Sequence, residues 1–105
     1  MSPTPQALTD LVAYAEGSIV NHMLLKTECG STTLYAFAKG EGFREHTAPF
    51  DALVLVIDGE AQIYVGGETV RVQTGETLLL PANVLHALHA ERPFKMLLTM
   101  LRTPS

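Results

Sequence analysis

The chain has 105 residues, of which 47% are hydrophobic and 17% charged, and its formal net charge at pH 7 is -4. This length fits one domain with one hydrophobic core, and the composition is that of a globular protein rather than a disordered one. Lysine and arginine together number only seven, so the chain has no basic stripe to neutralise phosphates, and nucleic acid is excluded as an expected partner.

The N-terminal stretch Met1 to Asp10 has no positive charge followed by an apolar run, so it does not read as a secretory signal. Fully apolar stretches such as Leu53 to Ile57 are far shorter than the roughly 20 residues that a membrane span needs. The single cysteine, Cys29, excludes an internal disulfide and suits a reducing compartment. We therefore expect a cytoplasmic protein with no membrane partner.

After a weakly helical lead segment, Pro5 to Glu16, the chain consists of short apolar runs separated by glycine or proline. Many short runs rich in Val, Ile, Leu and Thr predict an all-β barrel or sandwich, because a helical bundle would need longer pieces with a 3.6-residue period. We interpret Gly40 to Arg44 as a turn between strands. The predicted strands are Ser18 to Leu25, Thr32 to Ala38, Ala52 to Ile57, Ala61 to Val65, Thr69 to Val72, Thr77 to Leu80, Val84 to Leu88 and Phe94 to Leu101.

Gly66-Gly67 predicts a two-residue hairpin turn, because such turns require positive φ. Pairing outward from this turn places apolar residues on one face and polar residues on the other, which favours this register. The predicted pairs are Tyr64 with Thr69, Ile63 with Val70, Gln62 with Arg71 and Ala61 with Val72.

Two runs, Leu53 to Ile57 and Met96 to Leu101, are apolar on both faces. A strand in a lone antiparallel sheet usually exposes one face to water, so something must cover the second face. In a chain of this size the cover is either the N-terminal segment or another copy of the protein. We expect a homodimer.

Glycines, prolines and histidines in the middle of the chain recur at fixed spacing. The first set comprises Gly40, His46, Ala48, Ala52 and Gly59, and the second comprises Gly75, Pro81, Asn83 and His86. The spacing resembles the two motifs of the cupin superfamily, over about residues 31 to 101. The resemblance implies a double-stranded β-helix (jelly-roll) barrel over residues 31–101, preceded by a lead and first strand over residues 1–30, within one domain.

In metal-binding cupins the first motif carries two histidines and a glutamate, and the second carries one histidine. The matching positions of this chain are His46, Ala48, Ala52 and His86. Catalytic zinc typically has about three protein ligands, and non-haem iron(II) has two histidines and a carboxylate. A divalent transition metal held by His46 and His86 would therefore need a further ligand, for which His89 and His22 are the candidates. Glu45 and Thr47 flank His46 and are expected on the opposite face of its strand.

Three functional hypotheses follow from these residues, and no catalytic residue is assigned in any of them. In the first, the protein binds a small, mainly apolar molecule through His46 and His86, in space that Ala48 and Ala52 leave open. In the second, it is a metal-dependent dioxygenase, isomerase or lyase of the cupin type. In the third, it is a non-catalytic sensor or structural barrel in which the two imidazoles are buried and hydrogen-bonded. Pro81 is expected to end a strand, and Asn83 to adopt the left-handed conformation that aims His86 inward.

Overall fold

In a computed structural model, the chain folds into nine β-strands and one short 3-10 turn within residues 2–102, which are the residues that the structure describes. No helix in that range is long and apolar enough to cross a membrane. The 3-10 turn covers Leu8–Asp10, and the strands are β1 (Ile19–Thr27), β2 (Gly30–Phe37), β3 (Gly42–His46), β4 (Phe50–Asp58), β5 (Glu60–Val65), β6 (Glu68–Gln73), β7 (Thr77–Leu80), β8 (His86–His89) and β9 (Phe94–Arg102).

The strands form two antiparallel sheets. The five-stranded sheet has the order β1-β2-β9-β4-β7, and the four-stranded sheet has the order β3-β8-β5-β6. Because side chains alternate between the two faces of each strand, the inner faces meet in one apolar core. That core includes Phe37, Val54, Ile63 and Phe94, all fully buried. The predicted all-β double-stranded β-helix is confirmed.

The hairpin of β5 and β6 has the predicted register. Ala61 pairs with Val72, and Ile63 pairs with Val70. Gly66 and Gly67 have φ of 57° and 95°, the positive values that a two-residue hairpin turn requires. The sequence was sufficient here because both the turn type and the alternation of apolar side chains specify the same register.

The interpretation of Gly40 to Arg44 as a turn is wrong from Gly42 onward, because β3 begins there. A side chain at Gly42 would overlap the carbonyl oxygen of Leu88, so glycine allows β3 to approach β8 closely. The next residue, Phe43, packs edge-on against Phe37, with the ring centroids 5.0 Å apart. Contacts between strands therefore override the turn-forming composition of this stretch.

The sequence predicted a weakly helical lead segment. The structure contradicts this prediction, because the lead contains only the single 3-10 turn. Its apolar residues Leu8, Leu11 and Val12 pack against the outer face of the five-stranded sheet, next to Leu34 and Ala36. Packing against a flat sheet surface, rather than local helix propensity, determines its path.

Two polar contacts fix the lead segment in this position. The Tyr14 hydroxyl donates a hydrogen bond to Asp58 Oδ2 over 2.5 Å, and Lys95 Nζ donates to the carbonyl oxygen of Thr9 over 2.7 Å. The Lys95 ammonium also lies 5.0 Å from the centroid of the Tyr14 ring. The lead thus forms a strap that crosses β4 and β9 on their outer side.

The strap explains only part of the two-sided apolarity of β4 and β9. It lies against Ile57 and Leu97. Farther along the same outer face, four leucines remain between 45% and 61% exposed. They are Leu25, Leu53, Leu79 and Leu101.

Candidate ligand-binding site

Strands β3 and β8 bring His46 and His86 together. The two residues are direct partners in the antiparallel pairing, and their Nε2 atoms lie 3.2 Å apart. The ring planes meet at 67°, with centroids 4.3 Å apart. The His86 side chain is almost buried, with its residue only 7% exposed, whereas His46 is exposed at the rim.

A β-bulge in β3 turns His46 toward its partner. Phe43 pairs with Leu88 and His46 pairs with His86, so three residues advance along β3 for every two along β8. Because of the extra residue, strict alternation does not apply between Phe43 and His46. Glu45, which the sequence predicted on the opposite face, is among the residues at the cavity entrance. The sequence contained no marker for this bulge.

The turn before β8 positions His86. Asn83 has φ of 64°, the left-handed conformation that the sequence predicted, and Pro81 follows directly on the end of β7. The amide of Asn83 donates to the carbonyl oxygen of Ala48 over 2.8 Å, and the amide of Ala82 donates to Asp51 Oδ1 over 2.9 Å. These bonds tie the turn to the segment that follows His46, and so connect the two histidine-bearing motifs.

Each imidazole is also held by the backbone carbonyl group two residues earlier in the chain. The Nδ1 atom of His46 lies 2.8 Å from the carbonyl oxygen of Arg44, and that of His86 lies 3.1 Å from the carbonyl oxygen of Val84. A carbonyl oxygen only accepts hydrogen bonds, so both Nδ1 atoms must carry a hydrogen and donate it. Each ring therefore presents its Nε2 atom to the other ring.

Behind the histidines lies a cavity of about 470 Å³ between the two sheets. This volume is within the range of roughly 300 to 1,000 Å³ that is typical of small-molecule sites. Ala48 and Ala52, at two of the motif positions, both line it. The other apolar wall residues include Phe50, Leu80, Met96, Leu98 and Met100.

Five ionisable side chains line the cavity: Tyr35, Arg44, Glu45, His46 and His86. Burial lowers the pKa of His86; the hydrogen bond to the Val84 carbonyl opposes this shift, and a positive charge on His46 adds to it. Burial raises the pKa of Tyr35, so its phenol stays neutral at physiological pH. Low polarity inside the cavity therefore favours the neutral forms of both groups.

The other two histidines do not join the pair. His89 lies on β8 with parity opposite to that of His86 and is exposed, as the strand alternation predicted. His22 is exposed on β1, where it pairs with Leu34. Neither residue lines the cavity.

The side chains present do not supply the ligand set of a metal-binding cupin. Within residues 2–102, no three or more His, Cys, Asp or Glu side chains are grouped so as to hold a metal ion. At the remaining two motif positions, Ala48 and Ala52 present only methyl groups. Two imidazoles without a third protein ligand are fewer than catalytic zinc or iron(II) sites use.

Sequence reasoning did not identify Tyr35, Arg44 or Glu45 as cavity residues. Tyr35 has the parity of buried Phe37 on β2, and this signal could have placed it on the inner face. Arg44 and Glu45 reach the entrance because of the bulge, which depends on the pairing of β3 with β8. A single-strand pattern does not encode that pairing.

The likeness to known proteins agrees with this architecture. A conserved protein of unknown function from Streptococcus pyogenes is 30% identical, with a TM-score of 0.93; the match covers 100% of this chain and 92% of that protein. A cupin superfamily protein from Desulfitobacterium hafniense is 27% identical, with a TM-score of 0.91; the match covers 98% of this chain and 94% of that one.

A Cupin 2 conserved barrel domain protein from Leptotrichia buccalis is 44% identical, with a TM-score of 0.86. The match covers 90% of this chain but only 46% of that protein, so this chain spans about half of its length. A search of curated proteins gave no match. The sequence profile of the cupin domain matches residues 33–100. The chain therefore belongs to the cupin family.

Proposed function

We propose that this cupin binds a small, mainly apolar molecule in the cavity between its sheets, with His46 and His86 holding the polar end of that molecule. The observation that carries the proposal is the combination of a cavity of about 470 Å³ with apolar walls and a single pair of imidazoles that converge at its mouth. Sites of this composition gain binding energy from apolar burial and orientation from a few polar groups.

The alanines at positions 48 and 52 support this proposal. In the metal-binding members that the sequence resembles, those positions hold a histidine and a glutamate, whose side chains occupy space and carry polarity. Methyl groups leave that volume open, and Ala52 continues the apolar wall formed by Leu80 and Met100, its partners in β7 and β9. An apolar surface at the open mouth of a barrel favours the binding of an apolar ligand over contact with water.

The test is a screen of small apolar molecules against the wild type and a His46→Ala, His86→Ala double variant. A His89→Ala variant serves as the matched control, because it removes an exposed histidine from the outer face of the same strand. We expect binding to the wild type and the control, and a loss of at least about tenfold in affinity for the double variant. Absence of any ligand, together with a large loss of stability in the double variant, would instead support a structural barrel.

We also propose that a second copy of the chain covers the four exposed leucines on the outer face of the five-stranded sheet. The strap already occupies the other part of that face. The leucines are joined by Thr32 and Thr99, and one charged residue, Asp51, borders them as the strand partner of Leu101. A two-fold related copy presents the same apolar surface, so the contact is self-complementary.

Light scattering across a dilution series tests the second proposal. We expect a mass of about twice 11.4 kDa for the wild type, and the monomer mass for a Leu53→Glu, Leu101→Glu variant, because two carboxylates in each face would be buried unpaired. A Lys26→Glu variant is the charge control and should remain dimeric, because Lys26 follows Leu25 on β1 and lies on the opposite face of that strand. A wild type that stays at 11.4 kDa would contradict the proposal.

A further inference from the structure

We infer that the Tyr35 hydroxyl is a second polar anchor of the cavity, and that the bound molecule carries a hydroxyl or carbonyl group at each end of an apolar body. One end lies at His46 and His86, and the other at Tyr35. The inference rests on the proposed ligand site and adds the chemical class of the ligand.

Tyr35 lies deeper in the cavity than the two imidazoles. Its ring meets that of Phe43 edge-on, with the centroids 5.5 Å apart, and Phe43 in turn packs against the fully buried Phe37. Phe43 pairs with Leu88, which is two residues, or about 7 Å, along β8 from His86. The cavity therefore has one polar position at its mouth and a second one about one inward-facing residue farther in.

The fold does not use the Tyr35 hydroxyl. The ring packs on Phe37, with centroids 5.9 Å apart, and on Phe43, and a phenylalanine would make the same two contacts. Burial alone raises the pKa of Tyr35, and no hydrogen bond contributes. Within residues 2–102 no polar side-chain atom is fully enclosed without a partner, so this hydroxyl borders open space. Because Tyr35 lines the cavity, its hydroxyl is available to a molecule bound there.

A ligand group that bonds to this hydroxyl would offset an energetic cost. A phenol in apolar surroundings is unfavourable unless its hydroxyl has a hydrogen-bond partner. The neutral Tyr35 phenol can both donate and accept, so a hydroxyl or a carbonyl group on the ligand is a suitable partner. Either group makes this bond without placing a charge in the cavity, where desolvation of an ion is expensive.

The body of the ligand must suit an apolar wall. Apart from the residues at the entrance, the rest of the wall is apolar and includes Leu80, Leu98 and Met100. A hydrocarbon chain or an aromatic ring gains free energy by burial against these side chains, and the flexible methionine adapts to either shape. A sugar would place further hydroxyls against this wall without partners. The expected ligand is therefore apolar in the middle and polar at both ends.

Calorimetric titration of two matched probe pairs tests the inference in the wild type and in a Tyr35→Phe variant. The pairs are 1-octanol with 1,8-octanediol, and 2-phenylethanol with 2-(4-hydroxyphenyl)ethanol. In the wild type we expect the probe with two hydroxyls to bind at least as tightly as its partner with one. In Tyr35→Phe we expect the affinity of the probe with two hydroxyls to fall at least about tenfold, because its inner hydroxyl is buried unpaired, while the other probe is unaffected.

Tyr64→Phe is the matched control. It removes a hydroxyl from the face of β5 opposite to the buried Ile63, outside the cavity, and should leave all four affinities unchanged. Tyr35→Phe should melt at the temperature of the wild type because its ring contacts remain. If the affinity ratio within each pair is the same in the wild type and in Tyr35→Phe, the ligand site stands and the second anchor is refuted. If no probe binds the wild type, the ligand site and this inference both fail.

Carbon-13 NMR of the tyrosine rings locates the inner end of the ligand in the wild type itself. The Cζ signal of a tyrosine responds to hydrogen bonding of its hydroxyl. We expect the Tyr35 Cζ signal to shift when 1,8-octanediol binds, and the Tyr14 and Tyr64 signals to stay in place. A bound 1,8-octanediol that leaves the Tyr35 signal unchanged would overturn the inference.

Discussion

The two ends of the barrel interior differ in how they are filled. At the closed end, Phe37 and Phe94 stack with ring centroids 4.5 Å apart and an interplanar angle of 13°, and Val56 and Ala61 are fully buried beside them. At the open end, Ala52 is also buried, but it lines the cavity. Equally apolar residues thus stabilise the fold at one end and leave room for a ligand at the other.

This difference shows that apolar character alone does not distinguish core from site. Both ends are built from the same strands; β4, for example, contributes Val56 to the closed end and Ala52 to the open end. What separates them is the cavity, together with the pair of imidazoles at the open end. Substitutions matched between the ends can therefore test the comparison.

The largest expected effect comes from removing a stacked ring at the closed end. Phe94→Ala should lower the free energy of unfolding by about 3–5 kcal/mol, because the ring is fully buried and its removal leaves a void. Phe50→Ala, at the cavity wall, should cost about 1 kcal/mol or less, because that ring is only partly buried and already borders open space. Urea denaturation of both variants provides the comparison. Similar losses for the two would mean that the ends are equally packed.

A smaller effect is expected from adding volume. Ala61→Phe should destabilise the fold by about 1–3 kcal/mol or more, since no space surrounds this fully buried residue. Ala52→Phe should be tolerated, because the new ring can occupy the cavity, but it should block ligand binding. Thermal melting and calorimetric titration measure the two outcomes. A strongly destabilised Ala52→Phe variant would show that the cavity does not exist in solution.

The smallest effect concerns pH. Burial and the charge of His46 lower the pKa of His86, so between the unfolded value of about 6.5 and the lowered folded value the unfolded chain binds more protons. Stability should therefore decrease as the pH falls below about 6.5 and should not decrease as the pH rises above it. Denaturation curves at several pH values measure the slope. The His46→Ala, His86→Ala double variant should show a shallower slope, and an unchanged slope would assign the effect to other groups.

Much of the fold could be predicted from sequence because it depends on local rules. The Gly66-Gly67 turn and the alternation around it determined the hairpin register, and Asn83 indicated the left-handed turn before β8. The motif spacing related His46 to His86, and the structure places them side by side. Each of these features can be recognised from a short stretch of residues.

The remaining features depend on contacts between distant segments. The bulge in β3 arises from its pairing with β8, and it determines that Glu45 lines the cavity. The lead segment forms a strap because it packs on a sheet whose strands lie elsewhere in the chain, so its local sequence could not predict this path. The size of the cavity likewise depends on side chains from both sheets, so two alanines indicated its position but not its volume.

The most direct test of the central claim is a methyl-resolved NMR titration of the protein with octanoate. A ligand in the open end should shift the methyl signals of Leu80 and Met100 and leave those of the closed-end residues Val56 and Val72 unchanged. Shifts restricted to the outer leucines Leu53 and Leu79, or no shifts at all, would contradict a binding site between the sheets.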